Sequence, residues 1–158
     1  MSIFPKNPSI FVFDIDGTLA DTTHRMGYLN DEKRDWEAFF AAQSDDPPIQ
    51  GMIKLVKCLS SDNNSVIILQ TGRPSRFRQT TTNWLIANGL GSSFDSLLMR
   101  DNSDQRSQID LKLDFLLFIE KSWLMKPVLW VDDNIEVLEA MNRQGIQTLV
   151  PFGTVKSG

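Results

Sequence analysis

With 158 residues, 41% of them hydrophobic and 23% charged, the chain has the makeup of a globular domain large enough for a proper core. Its formal charge of −4 disfavours a generally basic, nucleic-acid-coating surface but leaves room for a local basic pocket. A single cysteine (Cys58) and a single histidine (His24) exclude an internal disulfide, a cysteine metal cluster and a multi-histidine metal site. Residues 1–6 lack the charged and apolar regions of a signal peptide. No stretch approaches the roughly 20 apolar residues of a membrane span, so a cytoplasmic location is expected.

The first apolar run, residues 10–14, reads as a buried strand. Helices are expected at 35–43 and, after the Pro47-Pro48 break, at 50–60, where Cys58 is expected to pack among apolar neighbours. A second strand at 66–71 leads into a helix at 76–88 that stops at Gly89. A strand at 97–99, a helix at 111–123, a strand at 128–132, a helix at 135–144 and a strand at 147–150 complete the order. This alternation predicts βαβ units: an α/β, three-layer fold around a five-stranded parallel sheet. About 50 residues separate Asp16 from the second strand, enough for one or two helices and no separate cap domain. Residues 1–158 therefore read as one domain with a minimal cap or flap at about 20–48.

Three of these strands end in the residue types that phosphoryl chemistry needs. The first ends in Asp14-Ile15-Asp16-Gly17-Thr18, and strand alternation predicts both carboxylates on one face. Side-by-side carboxylates are costly to desolvate unless a cation shares them, and Mg²⁺ with its oxygen ligands is the natural candidate. The second strand ends in Thr71-Gly72-Arg73-Pro74, whose hydroxyl, amides and guanidinium suit phosphoryl oxygens. The fourth ends in Asp132-Asp133-Asn134. In a parallel sheet these ends meet at one edge, where acids from two strands can hold one metal beside a phosphate. Lys112, early in the preceding helix, can reach the same crevice and neutralise nucleophile and phosphate.

Asp14-Ile15-Asp16-Gly17-Thr18, Thr71, Lys112 and Asp132-Asp133 resemble the four motifs of the haloacid dehalogenase superfamily of aspartate-nucleophile phosphohydrolases. The likeness runs over residues 10–134 and implies the Rossmann-like fold of that superfamily. It implies that Asp14 is the nucleophile, forming an aspartyl-phosphate, and that Asp16 protonates the leaving group and then activates water. Thr71 and Lys112 would hold the phosphoryl oxygens. Asp132, Asp133, Asp14 and the Asp16 carbonyl would hold Mg²⁺.

A closer likeness rests on residues 21–25, 34–40, 45–49, 71–74, 98–100 and 104–106, with Thr82 and Trp84-Leu85. These resemble the 3′-phosphatase domain of phage-type polynucleotide kinase-phosphatases and their stand-alone relatives in phages and bacteria. By that resemblance Arg25 and Arg73 serve the active site, and Gly72, Arg100 and Arg106 are candidate substrate-binding residues. The family commonly places an acid where this chain has Gln108, and an arginine where it has Asn134. No Gly-x-x-x-x-Gly-Lys-Ser/Thr loop is present, so ATP-dependent 5′-phosphorylation is not expected.

The implied partner is a phosphorylated nucleotide or nucleic-acid end in the cytoplasm of a bacterium or phage-infected cell, with no membrane and no obligate protein partner. A small-metabolite or phosphoprotein phosphatase remains a second reading, and a silent binding protein on the same fold a remote third. Trp36, Phe39 and Phe40 sit at helical spacing and read first as packing residues, base stacking being the alternative. Trp84 and Trp123 read as core or interface, and Trp130 as core. Arg76 and Arg78 read either as pocket charge or as an exposed helix face.

Overall fold

The computed structural model describes residues 5–151; the outermost residues of the expected 1–158 domain lie outside that range. The strands are β1 (Ser9–Asp14), β2 (Ser65–Pro74), β3 (Ser96–Arg100), β4 (Leu129–Val131) and β5 (Thr148–Leu149). They form one parallel sheet in the order β3-β2-β1-β4-β5. The helices are α1 (Trp36–Ala41), α2 (Gln50–Ser60), α3 (Arg78–Ala87), α4 (Gln108–Trp123) and α5 (Ile135–Arg143). Among the described residues no helix is long and apolar enough to cross a membrane.

Alternation along the strands assigns each residue to a layer. Phe13, Ile67, Leu69 and Val131 pack with Met52, Ile53 and Val56 of α2 and Trp84 and Leu85 of α3. Ile10, Val12, Val66, Ile68 and Trp130 pack with Leu116 and Ile119 of α4 and Val137, Leu138 and Met141 of α5. Both faces of β1 are covered, so its run is apolar nearly throughout. Each fully buried side chain of this size contributes about 1.5–3 kcal/mol.

Several elements depart from expectation. The helix expected at 35–43 begins on Asp35, whose carboxylate accepts the Ala38 amide at 2.9 Å, and turns into a 3-10 segment at Ala42–Asp45. An unforeseen 3-10 segment, Thr23–Leu29, precedes it. The helix after β2 starts as a 3-10 turn at Ser75–Phe77. α4 begins a turn earlier than periodicity suggests, because Ser107 caps it by accepting the Asp110 amide at 3.1 Å. That places Gln108 one turn before Lys112. Cys58 is exposed rather than packed: α2 buries Met52, Ile53 and Val56, and position 58 falls off that stripe.

Candidate active site at the carboxyl edge of the sheet

The chain crosses from one side of β1 to the other between β3 and β4. The crevice beyond the ends of β1 and β4 is therefore the switch point where such sheets place ligands. Pairing of Phe13 with Val131 and of Asp14 with Gln70 brings three strand ends together. Asp14, Gln70 and Asp132 continue the strand positions that face α4 and α5, the layer from which Lys112 arrives.

Asp14, Asp132 and Asp133 offer carboxylate oxygens that all lie within 4.8 Å of one another. Lys112 Nζ donates to Asp132 Oδ2 at 2.6 Å and lies 3.3 Å from Asp14 Oδ1. Gln70 Nε2 adds a hydrogen bond to Asp132 at 3.0 Å, and the Trp130 indole N–H lies 3.4 Å from the same oxygen. Burial, then the charge of Asp132, pushes the Asp14 carboxyl well above its ordinary value. Asp133 is raised by burial and by Asp132. Burial would lower Lys112, but Asp14 and Asp132 outweigh it and hold the ammonium charged. Three carboxylates thus face one cation. An all-oxygen donor set short of positive charge fits a hard divalent cation.

Gly17 makes this approach possible. It sits at φ +79°, and a Cβ there would meet Asp133 Oδ2 at 2.0 Å. The glycine therefore serves both the turn and the close approach of a carboxylate from β4.

Strand alternation ends at Asp14, so the expected common face for Asp14 and Asp16 does not extend to their carboxylates. Asp16 lies in the turn after β1, and its Oδ1 accepts from Arg73 Nη2 at 2.6 Å and from Arg25 Nη2 at 2.7 Å. Its carboxylate is not among the three that converge in the acid cluster. Burial alone would raise Asp16, but Arg73, then Arg25, outweigh it and hold the carboxyl below its ordinary 3.8.

Both arginines are 0% exposed. Arg25 forks onto Asp46 through Nε and Nη2, each at 2.7 Å, and donates to the Phe39 carbonyl at 3.0 Å. Arg73 reaches Asp46 Oδ2 at 3.2 Å and Gln43 Oε1 at 2.5 Å. Thr81 donates to Gln43 Oε1 at 2.6 Å, Trp84 donates to the Asp46 carbonyl at 2.8 Å, and His24 Nε2 lies 2.7 Å from Asp46 Oδ1. In this arrangement Arg25 and Arg73 orient Asp16 and are enclosed by the protein.

Thr71 is buried, and its hydroxyl accepts the Arg73 amide at 3.1 Å, which leaves the hydroxyl hydrogen to donate. The Gly72 carbonyl is held by Arg100 Nε at 3.1 Å, while Arg100 Nη1 binds the carbonyls of Asp104 and Arg106. Arg106 is ion-paired with Asp104 and Asp114. Gly72, Arg100 and Arg106 all line a cleft of about 440 Å³. Asn134, where the family has arginine, caps α5 by accepting the Glu136 amide at 3.0 Å.

Asp46, Gln43 and Gln70 went unassigned from sequence. Gln70 had a signal in its strand parity with Asp14. Asp46 had one in the following Pro47-Pro48, which holds it extended (φ −61°, ψ 122°).

The sequence pattern of the polynucleotide kinase PNKP phosphatase domain matches residues 8–150. No curated protein matches the chain in sequence. Among solved structures, a chain of the Pnkp1/Rnl/Hen1 complex superposes with a TM-score of 0.73 at 22% identity over 90% of this chain and 45% of its own length. A hydrolase from Streptococcus pneumoniae TIGR4 is similar at TM-score 0.64 and 12% identity, over 95% of both chains. The tungstate-bound class C acid phosphatase from Bacillus anthracis is similar at TM-score 0.63 and 15% identity, over 92% of this chain and 67% of its own. The chain spans less than half the length of the Pnkp1/Rnl/Hen1 complex chains it matches. With the family match running over nearly all its residues and the four motifs met at one sheet edge, the chain belongs to the PNKP phosphatase-domain family of haloacid dehalogenase-type phosphoric monoester hydrolases.

Proposed function

We propose that this domain removes the phosphate from 3′ ends of nucleic acid, with Asp14 as nucleophile and Mg²⁺ as cofactor. The observation that carries the chemistry is the three-acid cluster of buried Asp14 and Asp132 with exposed Asp133, opposed among the described residues by Lys112. The family match over residues 8–150 and the arginine-lined cleft beside Gly72 support a nucleic-acid end as substrate.

In the first step an Asp14 carboxylate oxygen attacks phosphorus, and the bond from phosphorus to the 3′ oxygen breaks. Asp16 gives its proton to the departing oxygen. Thr71 and Lys112 hold the phosphoryl oxygens as charge shifts onto them. In the second step Asp16 takes a proton from water, the water oxygen bonds to phosphorus, and the Asp14 carboxylate is released with inorganic phosphate. The hold of Arg25 and Arg73 on Asp16 favours its ionised form and so suits this second step. Asp14, Asp132, Asp133 and the Asp16 carbonyl would hold a divalent cation, which would supply neutralisation of the phosphoryl and carboxylate charge.

The test is phosphate release from a 3′-phosphorylated oligonucleotide with and without Mg²⁺. A 5′-phosphorylated oligonucleotide, mononucleotides and an aryl phosphate serve as comparisons. Release is expected from the 3′ end only, lost on chelation, and reduced at least about a thousandfold in Asp14→Asn. Turnover of mononucleotides with both oligonucleotides inert would overturn the 3′-end reading and leave the chemistry standing.

A further inference from the structure

Trp36 is out of place as a packing residue. It opens α1, yet 46% of its surface is exposed, and it stands on the wall of the cleft that also contains Gly72 and Gln108. Gly72 follows the phosphate-site Thr71, and Gln108 lies one helical turn before Lys112. The cleft is thus lined by the chain neighbour of Thr71 and by a residue one turn from Lys112.

Its walls are built to stay in place. Phe40 lies beneath the indole, with ring centroids 5.8 Å apart and planes 25° from parallel. Phe39 meets Trp36 edge-on at 5.8 Å, and Phe77 supports Phe40 at 5.8 Å. Glu37 next to Trp36 pairs with Arg76 at 2.6 Å, and Asn102 accepts the Arg76 amide at 2.8 Å. These contacts tie α1, the turn after β2 and the loop after β3 into one frame. The lining carries three arginines (Arg76, Arg100 and Arg106) and one carboxylate, Asp104; Glu37 also pairs with Arg76 and Asp114 with Arg106, and what the rim offers a ligand is guanidinium held in place by these pairs. A flat, exposed aromatic backed by a second ring, with cations at the same rim, is the chemistry that takes a base and its phosphodiester.

We propose that this cleft receives the nucleobase of the terminal nucleotide and that Trp36 is the surface on which the base stacks. The proposal rests on the 3′-end reading above and adds the specificity-determining residue. Every base has a flat face, so the contact tolerates any terminal base, and its effect falls on KM.

The experiment uses two 3′-phosphorylated oligonucleotides, one with an intact terminal nucleoside and one with an abasic terminal sugar. Wild-type protein is expected to prefer the intact end on the order of tenfold in kcat/KM. In Trp36→Ala that preference falls to near unity, and Trp36→Phe keeps most of it. If Trp36→Ala retains the full preference, or Trp36→Phe loses as much as alanine does, the proposal is wrong while the 3′-end reading stands. If neither oligonucleotide is hydrolysed while an aryl phosphate is, the 3′-end reading fails and the proposal falls with it.

Discussion

Two largely buried charge clusters, each with one acid open to solvent (Asp16 in one, Asp133 in the other), are built on opposite rules in this domain. Around Asp16, two carboxylates (Asp16 and Asp46) meet two guanidinia (Arg25 and Arg73), and the hydrogen bonds close on one another. Around Asp14, three carboxylates meet one ammonium. The first cluster is complete without a ligand; the second lacks positive charge that a ligand can bring. Their difference separates residues that hold the machinery in place from residues that bind, a distinction that residue type alone does not make. Arg25 and Arg73 fall in the first group, enclosed by the protein with Asp16 and Asp46 as their carboxylate partners.

The largest expected break of this comparison is Arg73→Met, which leaves Asp16 and Asp46 to share a single guanidinium. Removing one partner from a buried ion pair costs about 3–5 kcal/mol, read as a lower urea midpoint. Turnover should fall about a hundredfold as Asp16 loses its orientation, and added divalent metal should restore neither. The carboxylate cluster should answer in the opposite way. Divalent metal at a hundredfold excess over its Kd should stabilise the wild type by about 2.7 kcal/mol, and Asp132→Asn should lose that gain.

Acid titration without metal sharpens the contrast through its sign. Asp16 has its carboxyl below the ordinary 3.8. Its contribution is whole above the unfolded value and disappears as pH falls through the folded value. Asp14 is displaced upward, so the metal-free protein loses stability as pH rises from the unfolded value through the folded one. Denaturation midpoints from about pH 3 to about pH 8 should show the acid-side loss shrink in Asp16→Asn and the alkaline-side loss shrink in Asp14→Asn. The smallest effect belongs to His24→Ala. Its ring is partly exposed on the outer side of Asp46, and its loss should cost no more than about 1 kcal/mol by the same urea measurement.

The order of elements and the meeting of Asp14, Lys112, Asp132 and Asp133 were legible because period and strand-end placement are local signals. The enclosure of Arg25 and Arg73 was not. An arginine in a sequence announces a charge; whether that charge faces solvent depends on a carboxylate far along the chain, here Asp46. The shared face expected for Asp14 and Asp16 fails because alternation does not continue past the point where β1 ends and Gly17 turns the chain. The early start of α4 depended on Ser107, a polar residue whose capping role becomes visible only once the helix exists. Helical spacing announced the packing of Trp36 on Phe39 and Phe40 and could not announce that the ring is also 46% exposed.

The contact between Gly17 and Asp133 bears on how the protein is made. Asp14 leaves the ribosome well before Asp132 and Asp133, and β1 pairs with β4 as well as β2. Until β4 arrives, the central strand has an open edge between apolar faces, the form in which nascent chains associate wrongly. The three-acid cluster therefore closes only after β4 has left the ribosome, and a chain released before β4 would be prone to aggregate.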